Sequence, residues 1–275
     1  MGIYIVLAIL LAVVWLSSTS RSAYGDEAFE EKQFNAGKVT EVTVKDINNH
    51  IEIVSTKDDA VSVTYFDSEK EHYQIAVSDG RLSITYEDKK PWYAYLFNWS
   101  MKTYTVTVRV PESMLTALNA TTTNGNLTFD GIKVDGSISA KCTNGKINLE
   151  QVTAAGSINA SGTNGKIELS GVTAQNEAAF KSTNGSVNAV NIAANVLNLH
   201  TTNGKITADR IDVRAKLDIS STNGAIVGSV IGQVADFTID ARTVNGKNNL
   251  KDIKGNGVKA LNLRTTNGKI DIAFE

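Results

Sequence analysis

From Leu118 onward, apolar and polar residues alternate in a pattern that returns about every 20 positions. Each return turns on an Asn-Gly step: Asn124-Gly125, Asn144-Gly145, Asn164-Gly165, Asn184-Gly185, Asn203-Gly204, Asn223-Gly224, Asn245-Gly246 and Asn267-Gly268. Successive asparagines stand 20, 20, 20, 19, 20, 22 and 22 residues apart. Counted from the Asn, position −6 holds Leu118, Ile138, Ile158, Ala178, Leu197, Leu217, Ile239 and Leu261. Position +3 holds Leu127, Ile147, Ile167, Val187, Ile206, Ile226 and Ile270, with Asn248 as the exception. Position −2 is small throughout: Thr122, Cys142, Gly162, Ser182, Thr201, Ser221, Thr243 and Thr265. Period-2 alternation marks strands, and self-similarity at a fixed period of this size marks a repeat architecture. Each period therefore predicts two strands flanking a corner, followed by a third short apolar stretch ending near Ile132, Val152, Val172, Ile192, Ile211, Ile231 or Ile253.

Asn-Gly between alternating hydrophobics is also the strongest hairpin signal, which would give an antiparallel meander or a membrane barrel. A meander does not require every −2 residue to be small. In stacked coils each residue lies about 4.8 Å above its equivalent, so every column must fit itself. A membrane barrel carries aromatic girdles, whereas residues 105–275 contain no Tyr or Trp and four Phe. The expected fold is all-β: a parallel β-solenoid of eight coils. Right-handed winding is expected, as for nearly all parallel crossovers. The Asn side chains are expected to hydrogen-bond up and down the stack, with Gly supplying a positive φ at the corner. The sixteen Asn and Gly residues are thus read as structural.

Upstream, residues 38–117 predict a set of β-strands that caps the solenoid at 118–275. The alternating runs there are Val39–Val44, Ile47–Ile53 with an Asn-rich turn before its second half, Val61–Tyr65, Tyr73–Val77, Leu82–Tyr86 after an Asp79-Gly80 turn, and Tyr104–Val110 before Pro111. Residues 26–37 are acidic and read as a linker. Ile3–Leu16 is apolar for 14 residues, short of the roughly 20 that span a bilayer. It suits a secretory signal, with Ala23-Tyr24-Gly25 offering small residues for cleavage before Asp26. The region before it has no Lys or Arg, so an uncleaved anchor tethering the chain through residues 3–16 is the alternative. Residues 1–25 are signal peptide or anchor, and either way the body is exported to the periplasm or cell surface.

The strand set Val42–Tyr65, the strand-plus-proline run Tyr104–Phe129 and the serial Thr-Asn-Gly-Lys-Ile coils resemble the bacterial putative-adhesin domain family, over about residues 38–275. That family comprises exported β-solenoid domains of unknown function related to the head-GIN autotransporter adhesins. The resemblance implies a cell-envelope location and a surface or periplasmic adhesion or scaffold role. It carries no catalytic residues to transfer.

The net charge of −2 is uneven, with 10 Lys/Arg against 16 Asp/Glu in residues 26–123 and 16 against 13 in residues 124–275. Neither part is basic enough to imply nucleic acid. The single Cys142 excludes an intrachain disulfide framework. His50, His72 and His200 have no metal-ligand spacing, so no metal or cofactor is expected. Carboxylates are scattered among the outward columns. Only Glu150 and Glu168 fall close enough to suggest an acid/base pair, so no enzyme is expected. Threonines at −1 suggest a flat hydroxyl array, though they sit at a corner.

One pattern stands out. Positions flanking the corner are repeatedly basic: Lys146, Lys166, Lys205, Lys247 and Lys269 at +2, and Lys141, Lys181, His200, Arg242 and Arg264 at −3. They form a candidate stripe for an anionic envelope polymer or lipid head group. The plain alternative is a solvated face whose lysines discourage sheet-to-sheet aggregation. A second candidate contact is the aromatic run Pro91–Trp99, with Trp92, Tyr93, Tyr95, Phe97 and Trp99. It reads either as a partner site or as a lid on the core. The chain stops inside its last coil, at Lys269–Glu275, without an evident cap. That end is a candidate for self-association. An envelope-stress sensor binding a partner protein through the aromatic run or this last coil is the alternative function.

Overall fold

The computed structural model describes residues 22–24, 27–35, 38–67, 71–88, 103–112, 115–251 and 253–275. The apolar run 3–16 and the aromatic run 91–99 lie outside the described residues. So do all three of the chain's Trp residues, Trp15, Trp92 and Trp99. Among the described residues helical structure amounts to the 3-10 turn Val234–Asp236 and a single 3-10 position at Lys38; all the rest of the regular structure is strand.

Alternation of β-branched and polar residues forms the strands, and the columns set their register. Ser137–Cys142 lies parallel between Ala117–Thr122 and Ile158–Gly162, with Ile138 beside Leu118 and Ile158. Ile147–Glu150 lies parallel between Leu127–Asp130 and the start of the long strand Ile167–Ser182. Each pairing joins residues one period apart, so the architecture is coils stacked one above another rather than hairpins. Inward residues form one continuous core running the length of the stack, with Leu118, Leu127, Ile147, Ile158, Ile167, Leu197, Ile206, Leu217 and Leu261 all buried.

The chain order and the spatial order differ at both ends. Near the N-terminus, Glu41–Lys45 pairs in parallel with Ala117–Thr122 on one side and Arg81–Asp88 on the other. His50–Thr56 pairs likewise with Leu127–Asp130 and with Thr105–Pro111. Residues 41–56 are therefore a coil of the stack, one level inside its end. Antiparallel strands finish that end. Glu71–Ser78 makes a hairpin with Arg81–Asp88 through Asp79 and Gly80, both at positive φ. Ala60–Asp67 pairs with Thr105–Pro111 and with Glu27–Asn35. Residues 27–35, expected as linker, are thus a strand. Tyr65, Tyr73 and Tyr86 stack edge to face at this end, at 5.4 Å between neighbouring centroids. Large rings collect where a column need not repeat.

At the other end the last coil is also an inner one. Lys259–Thr265 lies between Lys216–Ser221 of the Asn223 coil and Phe237–Thr243 of the Asn245 coil. Ile270–Phe274 pairs with Ile226–Val230, and Asn248 bridges to Ile270 from the other side. The Asn245 coil, not the C-terminal one, ends the stack. Residues 248–251 and 253–257 then fold over it: Ile239 donates to the Lys254 carbonyl at 2.6 Å, Gly257 to the Phe237 carbonyl at 3.1 Å, and the Asn248 amide to the Ala241 carbonyl at 2.9 Å. The expectation of an uncapped C-terminal edge at Lys269–Glu275 is corrected on this ground. The same geometry explains the polar Asn248 in an apolar column, since its side chain has no further coil to pack against and turns to bond the outer strand.

Candidate functional site

The corners come first, because they hold the outward side chains in place. The Asn side chains form a single ladder in the spatial order 48, 124, 144, 164, 184, 203, 223, 267, 245. Each Nδ2 donates to the Oδ1 of the Asn below at 2.7–2.8 Å. Each ladder Asn above Asn48 also donates its backbone N–H to the −1 carbonyl of the coil below, at 2.7–2.8 Å.

The glycine beside each Asn is needed for closeness, not for backbone conformation. None of the eight corner glycines has a positive φ, which corrects the expectation above. A Cβ built on Gly165 stands 2.5 Å from the carbonyl carbon of Gly145, and the other corner glycines meet the carbonyl below them as closely. The left-handed position lies instead at +7, the second corner, where Gly131, Gln151, Gly171, Asn191 and Arg210 have φ of 51–66°.

The −2 column has a role its smallness did not disclose. Ser182 Oγ donates to the carbonyl of Gly165 at 3.1 Å and accepts from the Gly185 N–H at 3.0 Å. Thr201, Ser221, Thr265 and Thr243 reach the carbonyl below in the same way, at 2.7–3.0 Å. Cys142 does so with its thiol, Sγ lying 3.1 Å from the Gly125 carbonyl. Burial pushes that thiol pKa up, so it is a structural group rather than a nucleophile. Gly162 alone lacks the bridging atom.

Sequence reasoning missed a ninth corner. Asp46, Asn48 and Asn49 stand where a −2 residue, the Asn and the Gly stand elsewhere. Asp46 Oδ1 accepts the N–H groups of Ile47, Asn48 and Asn49 at 2.6–2.9 Å, and its other oxygen takes the Tyr73 hydroxyl. That buried contact drives the Tyr73 pKa far above the usual phenol range, through burial first and the Asp46 charge second. Asn49 needs no missing Cβ, because no such corner lies beneath it among the described residues. Its amide bonds Tyr73 at 2.9 Å and the Tyr104 N–H at 3.0 Å instead.

Outside this spine lie the basic residues. In spatial order the −3 row reads Lys45, Thr121, Lys141, Ser161, Lys181, His200, Ser220, Arg264, Arg242. Its upper end is partly compensated, with Arg242 and Arg264 both on the one carboxylate of Asp240 at 2.6 and 3.0 Å. The Arg264 hydrogen bond, aided by Arg242, holds the Asp240 carboxyl below its ordinary range. His200 donates to or accepts from Ser220 at 2.8 Å, and burial followed by the Lys181 charge lowers its pKa. At +2, Lys146 pairs with Glu168, and Lys269 with Asp271 at 2.9 Å. Lys141, Lys166, Lys181, Lys205 and Lys247 are exposed and form no ion pair among the described residues.

The structure does not bring Glu150 and Glu168 together. Register sets Glu150 beside Ser170, and Glu168 is taken by Lys146. The histidines are separately engaged: His50 accepts the Asn126 N–H at 2.9 Å, and His72 meets Asp67 at 2.8 Å. No group of three or more His, Cys, Asp or Glu fit to hold a metal occurs among the described residues.

Parallel coils in register around one core, with self-bonding corners, define an all-β, solenoid-like repeat protein. A family model described as Toastrack DUF4097 matches residues 39–273, so the chain belongs to the Toastrack DUF4097 family. This accords with the adhesin-like resemblance read from the sequence. No curated relative matches the chain. A solved structure of a putative cell adhesion protein from Clostridium sporogenes is similar over 90% of this chain and 100% of its own, at 13% identity and a TM-score of 0.26. That is too remote a likeness to build on.

Proposed function

We propose that the protein is a non-catalytic, exported adhesion or scaffold module of the cell envelope. Its repeat coils wind right-handed, and it works by presenting fixed rows of side chains to a large anionic partner. The observation that carries this reading is the set of exposed lysines flanking the corner ladder without carboxylate partners. A stacked β-spine holds side chains at a constant interval of about 4.8 Å, which suits an extended partner better than a small molecule. The corners contribute rigidity rather than chemistry, since their polar atoms are spent on one another. Residues 1–25 act as signal or anchor, and the antiparallel strands within 60–88 cap the end of the solenoid whose first coil is 41–56.

The test is retention of the purified chain on immobilised anionic polysaccharide and on anionic liposomes, at low and high salt. Retention that weakens as salt rises supports the reading. Failure to bind either surface at low salt overturns it.

A further inference from the structure

The two basic rows are not equivalent, and the difference points to a ligand class. Along the lower −3 row, cations and hydroxyls alternate strictly: Lys45, Thr121, Lys141, Ser161, Lys181, each the in-register neighbour of the next. Like charges on adjacent strands repel, and the hydroxyl rungs separate them. The cations consequently stand two rungs apart, about 9.6 Å.

Beside this row lies an elongated trough of about 350 Å³, walled by Thr121, Lys141, Ser161 and Lys181 on one side and Thr123, Thr143 and Thr163 on the other. Its surroundings are free of acid. The next outward column, at −5, reads Thr43, Asn119, Ser139, Asn159 and Ala179 over these rungs. Higher up the same column carries Asp218, which pairs with Lys216, and Asp240, which holds Arg242 and Arg264. The unpartnered lysines at −3 therefore coincide with the part of the face whose −5 column carries no carboxylate.

We propose that this trough binds a linear acidic polysaccharide lying along the stack axis, with one acid group per disaccharide. Lys141 and Lys181, and Lys45 beyond them, each meet an acid group. The intervening Ser161 and Thr121, with the −1 threonines, hydrogen-bond the sugar hydroxyls between. A two-rung cation spacing is comparable with the repeat of an extended disaccharide. An axial trough favours a chain over a lipid surface, which would meet a broad patch instead. This deepens the anionic-partner reading above and rests on it.

The experiment measures binding of the full chain to hyaluronan oligosaccharides, which carry one carboxylate per disaccharide, and to phosphatidylglycerol vesicles. Two paired variants are compared: Lys141→Gln with Lys181→Gln, and Lys166→Gln with Lys205→Gln on the other flank. All four are exposed, so the fold is retained, as melting will verify. The trough pair is expected to lose affinity for the oligosaccharide by about tenfold, at up to about 1 kcal/mol per exposed ion pair, and the other pair by less than about threefold. Ser161→Glu, which sets a carboxylate between the two lysines, is expected to weaken binding as much as the trough pair. Equal losses from both pairs would overturn the trough while leaving the general anionic reading intact. Binding to vesicles but not to the oligosaccharide would overturn the polysaccharide assignment. Binding to neither would overturn both.

Discussion

Two glycines three residues apart, Gly162 and Gly165, give the sharpest test of the corner. In Gly165→Ala the new Cβ stands 2.5 Å from the Gly145 carbonyl carbon and 3.2 Å from the Lys146 nitrogen. Carbon atoms rest about 3.5 Å or more apart and the Gly145 carbonyl oxygen lies nearer still, so the two rungs must separate locally by at least about 1 Å. That corner is closed by Asn164 N–H to the Thr143 carbonyl and by Asn164 Nδ2 to Asn144 Oδ1, both 2.8 Å. An added 1 Å takes both out of hydrogen-bonding range. Two lost bonds at about 1 kcal/mol each, with about 1–3 kcal/mol for overpacking, give about 3–5 kcal/mol. Tm should fall by about 10 °C for a chain of this size. A Cβ on Gly162 meets only the Cys142 and Gly165 carbonyl oxygens, at 3.6 and 3.7 Å, which is ordinary contact. Gly162→Ala should be neutral or stabilising by up to about 1 kcal/mol, and Gly162→Ser should add the missing bridge. Thermal and urea denaturation followed by circular dichroism reads both. A loss under about 1 kcal/mol for Gly165→Ala, or equal losses at the two sites, would refute the close-approach account.

Gln151 holds φ 51° at the second corner; Gln151→Gly should stabilise by about 1 kcal/mol by removing left-handed strain, read as a rise in urea midpoint. His200 has a folded pKa below its ordinary value. Its contribution to stability is therefore complete above the unfolded pKa of about 6.5 and is lost as pH falls through the folded value. His200→Gln should flatten that loss below pH about 6.5 in denaturation curves, and an unchanged pH profile would count against it. Deleting residues 259–275 removes an inner coil, so residues 237–250 should lose hydrogen-exchange protection while the coils up to Asn203 keep theirs. Continued protection of 237–250 would mean that the coils stack in chain order.

The repeating columns were legible because stacking forces a column to be compatible with itself, and self-compatibility leaves a period. The conformational reason for Gly was not, since a close approach and a positive φ select the same residue. Only the coordinates separate Gly165 from Gly171, which has φ 64°. The Asn48 corner escaped because its Gly is replaced by Asn49 and 76 residues separate it from Asn124. Val42, Val44, Ile51 and Ile53 nonetheless fill its −6, −4, +3 and +5 positions, and aligning them to the columns would have found it. Coil order is invisible to a period, because any coil of the set fits any level. Asn248 was the one clue, a polar residue where the stack ends. In the basic stripe the residues were readable but their partial compensation was not. Asp240 sits two residues before Arg242 in the chain, yet it reaches Arg264 across a strand pair.

The claim that matters most is that the corners are structural and that function lies in the free lysines beside them. The direct measurement is the salt dependence of wild-type retention on immobilised acidic polysaccharide. Retention that falls steadily as salt rises, as expected for charge-mediated contact at exposed lysines, is the result predicted here. Retention indifferent to salt, or absent at low salt, would contradict it.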